Sequence, residues 1–167
     1  MDPEIKKTAL RMIPYGLYVL TAQDAEGNSG AATVNWVTQV SFEPPLVVAG
    51  VRVDSSIHGV IKQAGAFALN MLGKGQEDLA TVFFKPAQIE GQKIGGEPFQ
   101  SGQAGSPILE STPAYIDCRL VGNIEQGDHA IMVGEVVDAG LRFQPEGRPD
   151  QAILRLEDLG EGVFYGG

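Results

Sequence analysis

The sequence is poor in cysteine and in basic residues, and each shortage excludes a class of protein. The single cysteine, Cys118, cannot form a disulfide within the chain, which is typical of a reducing compartment. Only 12 Lys and Arg stand against 21 Asp and Glu, so the formal net charge is -9. A chain of this charge lacks the basic face that nucleic acid or an anionic membrane surface attracts. We therefore expect a cytoplasmic protein that binds neither nucleic acid nor a membrane.

Three further kinds of motif are missing. No apolar run approaches the ~20 residues that cross a bilayer, and residues 1–11 lack the continuous apolar stretch of a signal peptide. No spacing of His, Cys and carboxylates resembles a zinc site, so no metal is predicted. No Gly-x-Gly-x-x-Gly follows a predicted strand, so a separate dinucleotide-binding fold is not supported. The 167 residues are expected to form a single domain, 1–167.

Short strands dominate what the sequence does contain. β-branched and aromatic runs between turn residues predict strands over 15–22, 30–42, 46–51, 67–72, 114–124 and 130–137, with short final strands over 153–156 and 163–165. The second of these is expected to be broken or bulged near Trp36. The segment 89–113, rich in Gly, Ser, Gln and Pro, is long for a loop, which favours a functional, mobile or partner-bound segment.

Three helices are predicted between these strands. Asp2-Pro3 begins the first, which should reach about Met12. The second covers 55–63, with Asp54 as its N-cap and Gly65 as its stop, and the third covers 76–84 before Pro86. Many strands with few helices predict a mainly β fold, an antiparallel β-barrel with helices packed on it.

One strand carries an unusual set of polar side chains. In Ala32–Ser41, hydroxyls and an amide alternate with Val, and Pro44-Pro45 ends the run because proline cannot donate to a ladder. Such a strand can hold a flat polar ligand along its backbone, or it can simply be the wet face of an exposed strand. A second polar segment, Gly127-Asp128-His129, opens a strand far downstream.

The order of several segments resembles the flavin reductase family. These are Tyr15–Thr21, Thr33–Ser41 with Glu43-Pro44-Pro45, Asp54-Ser55-Ser56, Phe67–Asn70, Gly127-Asp128-His129 and Val133–Val136. The opening Tyr-Gly-Leu-Tyr is similar to the branch of flavoredoxin-like carriers and rubredoxin-fused flavin reductases. The resemblance implies an FMN-binding split barrel with Greek-key-like antiparallel strands, a homodimer with FMN near the subunit interface, and NADH or NADPH as reductant.

The chain departs from that family's pattern at two places. Many members carry two serines and a Phe where this chain has Asn35-Trp36-Val37, so the indole could crowd or stack near the flavin. The stretch from Phe84 to Gly96 also differs from members with a longer basic helix end.

The resemblance and the residue chemistry together assign candidate positions around FMN. The ring is expected against the polar strand, at Thr33, Val34, Asn35, Trp36 and Thr38. The phosphate is expected at the helix N-terminus, where Ser55, Ser56 and the preceding Arg52 offer donors, with Lys85 and Phe84 nearby. Two plainer interpretations stay open: Asp54 is a simple N-cap, and Lys85 merely complements a helix dipole.

Two further residues are candidates near the reacting rings. In the resembling enzymes the Gly-Asp-His histidine lies beside the flavin on the nicotinamide side, which makes His129 the predicted catalytic residue. The alternative is that His129 is incidental to a turn. Tyr165 could cover the ring or be a sheet residue, whereas His58 is expected at the surface or an interface, and Cys118 in the core.

We therefore predict an NAD(P)H-dependent FMN oxidoreductase that passes electrons to free flavin, to a partner redox protein or to another acceptor. Two alternatives remain at this level. One is an FMN-containing electron-transfer protein that a partner reduces. The other is a non-catalytic flavin-binding or heme-binding barrel.

Overall fold

The computed structural model describes residues 1–87 and 89–166. Its strands are β1 Tyr18–Gln23, β2 Ser29–Val34, β3 Val37–Ser41, β4 Leu46–Arg52, β5 Ala66–Met71, β6 Ile89–Glu90, β7 Lys93–Ile94, β8 Glu97–Ser101, β9 Pro107–Leu109, β10 Ala114–Ile124 and β11 His129–Leu141. Its helices are α1 Pro3–Arg11, α2 Ser56–Ala64, α3 Glu77–Val82 and α4 Pro149–Ala152, followed by a 3-10 turn at Leu156–Leu159.

Seven strands form one antiparallel sheet in the order β2-β1-β5-β10-β11-β4-β3. The consecutive strands β2 and β3 lie at opposite edges because the chain turns a corner at Asn35 and Trp36. The Val37 amide donates to the Asn35 carbonyl at 3.1 Å, and the Trp36 carbonyl accepts from Gly50 at 2.8 Å. The sheet therefore curls into a half-barrel, which confirms the predicted split barrel and the predicted break near Trp36.

The segment 89–113, predicted to be a long loop, contains a second small sheet instead. Its strands pair in the order β6-β7-β8-β9, and Gly95 and Gly96 turn the chain between β7 and β8 with φ of 59° and 84°. Such positive φ values are open to glycine without a Cβ penalty. The strands are only two to five residues long. Such lengths are too short for the alternation of apolar and polar residues to predict them.

Two apolar clusters hold the fold together. The first fills the half-barrel beneath α2 with Leu20, Ile57, Ile61, Phe67, Leu69, Cys118 and Met132. The second lies between the main sheet, α3 and the small sheet and includes Val19, Leu72, Phe83, Ile94, Leu109 and Leu154. The prediction that Cys118 belongs to the core is confirmed, and burial raises the pKa of its thiol to about 12.

The predicted helices are present, with different ends. Asp2 caps α1 by accepting from the amides of Glu4 and Ile5 at 2.8 and 3.1 Å. Gly65 ends α2 in the left-handed region, at φ 66°. The N-cap of α2 is Ser55, so the prediction of Asp54 is wrong: its carboxylate pairs with Arg52 instead.

The predicted C-terminal strands are wrong as well. Ile153 and Arg155 form only isolated bridges to Gly73 and Gly16, and the 3-10 turn follows. Residues 163–166 adopt neither helix nor strand. Across 1–87 and 89–166, no helix is both long enough and apolar enough to cross a membrane.

Candidate functional site

The site is built where β4 ends and β11 begins. Arg52 and His129 are cross-strand partners there, and the turn after Arg52 leads directly into α2. Ile57, in the first turn of α2, is buried against β2 at Gly30, where any Cβ would lie only 3.0 Å from it. This packing holds the N-terminus of α2 beside the strand that carries the polar run.

The N-terminus of α2 is not capped by a side chain. The Ser55 hydroxyl donates to the Arg52 carbonyl at 2.6 Å and makes no capping bond, and Ser56 is exposed. No acidic residue occupies the first turn of the helix. The positive end of the helix dipole is therefore left without a capping side chain or a nearby acid on the helix, an arrangement suited to an anion.

Arg52 is engaged by its neighbour rather than free. Its guanidinium donates to both carboxylate oxygens of Asp54, at 2.9 and 2.6 Å, and this pairing lowers the pKa of Asp54. The pair is largely exposed, so a competing anion can exchange for the Asp54 carboxylate at small cost. The Asp54 carboxylate, which would repel an anion at this helix N-terminus, is thus paired with Arg52.

Three aromatic rings meet beside this turn. The Trp36 ring centroid lies 4.5 Å from that of His129 and 5.4 Å from that of Tyr165, and the His129 and Tyr165 centroids are 5.8 Å apart. Gly50 makes room for the indole, because a Cβ there would approach Trp36 Cε3 to 3.0 Å. Trp36 Nε1 is buried and finds no acceptor among the described residues.

The imidazole of His129 is held from both sides. Its Nδ1 lies 2.9 Å from Asp128 Oδ1, and its Nε2 lies 2.8 Å from the Tyr165 hydroxyl. The hydrogen bond to His129 lowers the pKa of Asp128, whereas burial raises the pKa of the Tyr165 phenol. An ionised Asp128 therefore orients a histidine whose other nitrogen meets a neutral hydroxyl at neutral pH.

The segment 163–166 lies over this cluster. The buried Asn35 donates from Nδ2 to the Tyr165 carbonyl at 3.2 Å, and Arg11 Nε donates to the Gly166 carbonyl at 3.2 Å. The Arg11 guanidinium also lies 4.4 Å from the centre of the Phe164 ring. The interpretation of Tyr165 as a sheet residue is wrong, since it contacts His129, Trp36 and Asn35 from outside any strand.

Thr33 connects the polar strand to α3. Its amide donates to the Phe83 carbonyl at 3.0 Å and its hydroxyl to the Ala80 carbonyl at 2.6 Å. Both donors of Thr33 are therefore used within the protein. The same bonds bring the exposed Phe84 and Lys85, which follow α3, to the free edge of β2.

The structure thus brings Asn35, Trp36, Arg52, His129 and Tyr165 into one corner of the barrel, next to Ser55 and Ser56. Two predicted residues lie elsewhere on the strands. Val34 is half-buried against the barrel core, and Thr38 is exposed and donates to the Gln39 carbonyl. Neither side chain joins the aromatic cluster.

Sequence reasoning missed two residues of this corner. Gly50 gave a signal, as a glycine inside the apolar run 46–51, which is typical of a close approach by another group. Arg11 gave none, because its partner at Gly166 lies at the other end of the chain. His58, predicted at the surface or an interface, is half-buried on α2 and lies 3.1 Å from Glu125, apart from the aromatic cluster.

Comparison with known proteins identifies the family. The flavin reductase like domain matches residues 10–154. The chain belongs to this family. A flavin reductase from Pseudomonas putida is 34% identical over 92% of this chain and 86% of its own. A probable flavin reductase from Rhizobium meliloti is 32% identical over 81% of this chain, which spans only 42% of that longer protein.

A solved structure is similar as well. The NADH:FAD oxidoreductase of Streptomyces globisporus shares 28% identity and a TM-score of 0.70, covering 84% of this chain and 86% of that one. The predicted resemblance to the flavin reductase family is confirmed. The cofactor and the identity of each site residue remain predictions.

The residues of the corner fit a flavin. A flavin mononucleotide presents a dianionic phosphate and a flat ring edged with carbonyl acceptors. The uncapped N-terminus of α2 suits the first. The buried, unbonded Nε1–H of Trp36 is a donor of the kind the ring edge requires, and Asn35 Nδ2 has a second hydrogen besides the one it donates to the Tyr165 carbonyl. Thr33 does not fit this role, because its amide and hydroxyl are already bonded.

Proposed function

We propose that this chain is an NAD(P)H-dependent flavin reductase that uses FMN and forms one flavin reductase-like domain over 1–167. The observation that carries the proposal is the meeting, in one corner, of an uncapped helix N-terminus and the Trp36–His129 pair. When bound, FMN supplies the acceptor for a hydride from the nicotinamide. The residues of the chain then bind, orient and shield the reacting rings.

The N-terminus of α2 holds the phosphate in this proposal. Ser56 and the free amides of the first turn donate to the anion, and the helix dipole favours its charge. Arg52 exchanges its bond to Asp54 for a charge-assisted bond to the phosphate. Lys85, exposed where α3 meets β2, adds a second positive charge. This set provides local cationic character in a chain whose formal net charge is -9.

Asn35 and Trp36 orient the ring. Asn35 is buried at the corner between β2 and β3, so its amide is fixed before any ligand arrives. The indole packs on Gly50 and His129 and presents its N–H on the same side. A rigid donor pair of this kind lowers the ordering cost of binding a flat ligand.

His129 positions the nicotinamide. Asp128 holds the imidazole through Nδ1, which leaves Nε2 directed at the space that Tyr165 fills. From there Nε2 can bond the carboxamide of the reductant. The Streptomyces globisporus relative is named for NADH and FAD, which supports a nicotinamide as reductant.

The direct test uses the purified protein. We expect a yellow protein, or one that turns yellow and quenches Trp36 fluorescence on titration with FMN, and NADH oxidation that depends on added FMN. FAD and riboflavin in parallel titrations, and NADPH in parallel assays, establish the preferred flavin and nicotinamide. A protein that binds no flavin in any titration contradicts the proposal.

The same assay separates the proposal from its alternatives. Bound FMN that NADH and NADPH leave oxidised, but that a partner redox protein reduces, identifies an electron-transfer module. Bound FMN or heme that no physiological reductant turns over identifies a binding barrel. Stopped-flow reduction of bound FMN by NADH and by NADPH gives the decisive rates.

A homodimer is part of the proposal. In support, no residue of α1 is buried, and Ile5, Met12 and Phe42 are 69, 78 and 90% exposed. A contiguous patch of such side chains marks an interaction surface, and the proposal takes these three as part of one. Sedimentation equilibrium with and without FMN tests the dimer, and a monomer that holds FMN tightly contradicts it.

A further inference from the structure

The segment 163–166 occupies the ring side of the proposed site. Tyr165 contacts all three residues assigned to orienting the rings. Its carbonyl accepts from Asn35, its hydroxyl bonds His129 Nε2 at 2.8 Å, and its ring lies 5.4 Å from the Trp36 ring centroid. A flat ring with a hydroxyl and a nearby carbonyl thus already fills the space that His129 faces.

This occupant leaves one polar group unsatisfied. Gly166 covers Trp36 Nε1, since a Cβ on Gly166 would lie 3.6 Å from that atom, yet Nε1 has no acceptor among the described residues. A buried donor without a partner costs free energy that an incoming acceptor recovers. The position that Gly166 covers is therefore one where a ligand carbonyl is favoured over the chain itself.

The segment is held to the barrel by side-chain contacts and by no strand ladder. It belongs to no helix or strand, and Val163, Phe164 and Tyr165 are 39, 52 and 43% exposed. Val163, Phe164 and Tyr165 line a surface cavity of about 510 Å³ together with Arg11, Ile13, Tyr15 and Arg155. Moving the segment requires no opening of either apolar core, because none of its residues belongs to them.

We propose that residues 163–166 form a strap whose Tyr165 occupies a subsite for a flat ring bearing a carbonyl or hydroxyl, and that such a ligand enters by displacing the strap. The inference rests on the proposed function in taking two ligands: the flavin ring displaces the strap from Trp36 and Asn35, and the nicotinamide ring takes the place of the Tyr165 side chain beside His129. The self-occupied subsite at Trp36, Asn35 and His129 is a property of the chain alone. Only molecules with an open strap can bind the ligand, so the apparent Kd equals the intrinsic Kd divided by the open fraction.

The first experiment needs no flavin and no turnover. Trp36 is the only tryptophan of the chain, so its emission reports on the strap directly. We expect Tyr165→Ala to shift Trp36 emission toward that of a solvated indole, and p-cresol, the Tyr side chain as a free molecule, to reverse the shift on titration. Phe164→Ala, which removes the contact with Arg11 and leaves the ring subsite filled, is the matched control and should leave the emission unchanged.

The second experiment measures NADH oxidation with saturating FMN. Tyr165→Phe removes only the bond to His129, so we expect KM for NADH to fall about fivefold, the effect of one net hydrogen bond, with kcat unchanged. A KM that rises overturns the strap and makes Tyr165 part of the ligand's own site. If the Trp36 emission spectrum is the same in Tyr165→Ala as in the parent and does not change on addition of p-cresol, the self-occupied subsite is overturned.

These two failures are distinguishable from a failure of the proposed function. A protein that shows the Trp36 response but binds no flavin has the strap and not the reductase activity. A protein that binds FMN and oxidises NADH without the Trp36 response has the activity and not the strap.

Discussion

The indole of Trp36 and the imidazole of His129 lie with their ring centroids 4.5 Å apart, although they come from distant parts of the chain. The contact exists because Trp36 sits at the corner where β2 gives way to β3, while His129 is the first residue of β11. Between them β4 provides Gly50 under the indole and Arg52 opposite the histidine. One strand therefore aligns the two halves of the proposed site.

Replacing His129 should separate reduction from flavin binding. With Tyr165→Phe as the parent, so that no strap bond is lost at the same time, His129→Ala should lower kcat/KM for NADH about fivefold, because one positioned hydrogen bond to the nicotinamide is lost. FMN affinity, measured by fluorescence titration, should change little. His58→Ala is the matched control, since His58 is the only other histidine and contacts Glu125 on α2. Equal turnover in both variants would remove the role assigned to His129.

The phosphate site can be tested by comparing FMN with riboflavin, which lacks the phosphate. In Asp54→Asn, Arg52 loses its carboxylate partner and becomes available to an anion, so FMN should bind more tightly. In Ser56→Asp, a negative charge at the N-terminus of α2 should weaken FMN about tenfold, comparable to the loss of one charge-assisted hydrogen bond. Riboflavin affinity should be the same in both variants and the parent. Parallel changes for the two flavins would place the phosphate elsewhere.

Two glycine substitutions should act in opposite directions. Gly50→Ala puts a Cβ 3.0 Å from the Trp36 ring, and the displaced indole should lower the free energy of unfolding by about 1–3 kcal/mol. Gly59→Ala, inside α2 with open space at its Cβ, should raise it by up to about 1 kcal/mol. Urea unfolding followed by circular dichroism measures both. A Gly50→Ala protein of unchanged stability and unchanged Trp36 emission would contradict the close approach.

The buried carboxyl of Asp117 should make stability depend on pH. Asp117 is fully buried, accepts from the Ala104 amide at 2.6 Å, and has its pKa raised mainly by burial. The folded chain therefore keeps this proton to higher pH than the unfolded chain does. The associated stability is present below the unfolded pKa of about 3.9 and is lost as pH rises through the higher folded value.

Urea titrations of the parent and Asp117→Asn across that acidic range check the sign. The stability of the parent relative to the variant should decrease as pH rises. Asp54→Asn is the control of opposite sign, because Arg52 lowers the pKa of Asp54. The contribution of Asp54 should be lost as pH falls, and it should be small because the pair is exposed. A stability difference between the parent and Asp117→Asn that is independent of pH would contradict the burial effect.

Local sequence signals predicted those parts of the fold that depend on local chemistry. Asp2 caps α1 and Gly65 ends α2 because a short carboxylate and a residue without a Cβ satisfy those termini by themselves. The break near Trp36 was predicted as well. The small sheet within 89–113 escaped prediction because its strands are stabilised by pairing and by Ile94 and Leu109 in the second core, neither of which leaves a periodic trace.

The candidate site also has parts that depend on local sequence and parts that depend on long-range contacts. The sequence by itself determined the family, the polar strand and the serines at the start of α2, and it predicted a role for His129, since each depends on residue type and order. Only the tertiary structure decided that Asp54 binds Arg52 rather than capping α2. It also decided that the Thr33 hydroxyl donates to a carbonyl of α3 and that Tyr165 packs against Trp36 and His129. Those outcomes depend on which groups the curled sheet brings within hydrogen-bonding distance. Separation along the chain carries no information about that distance.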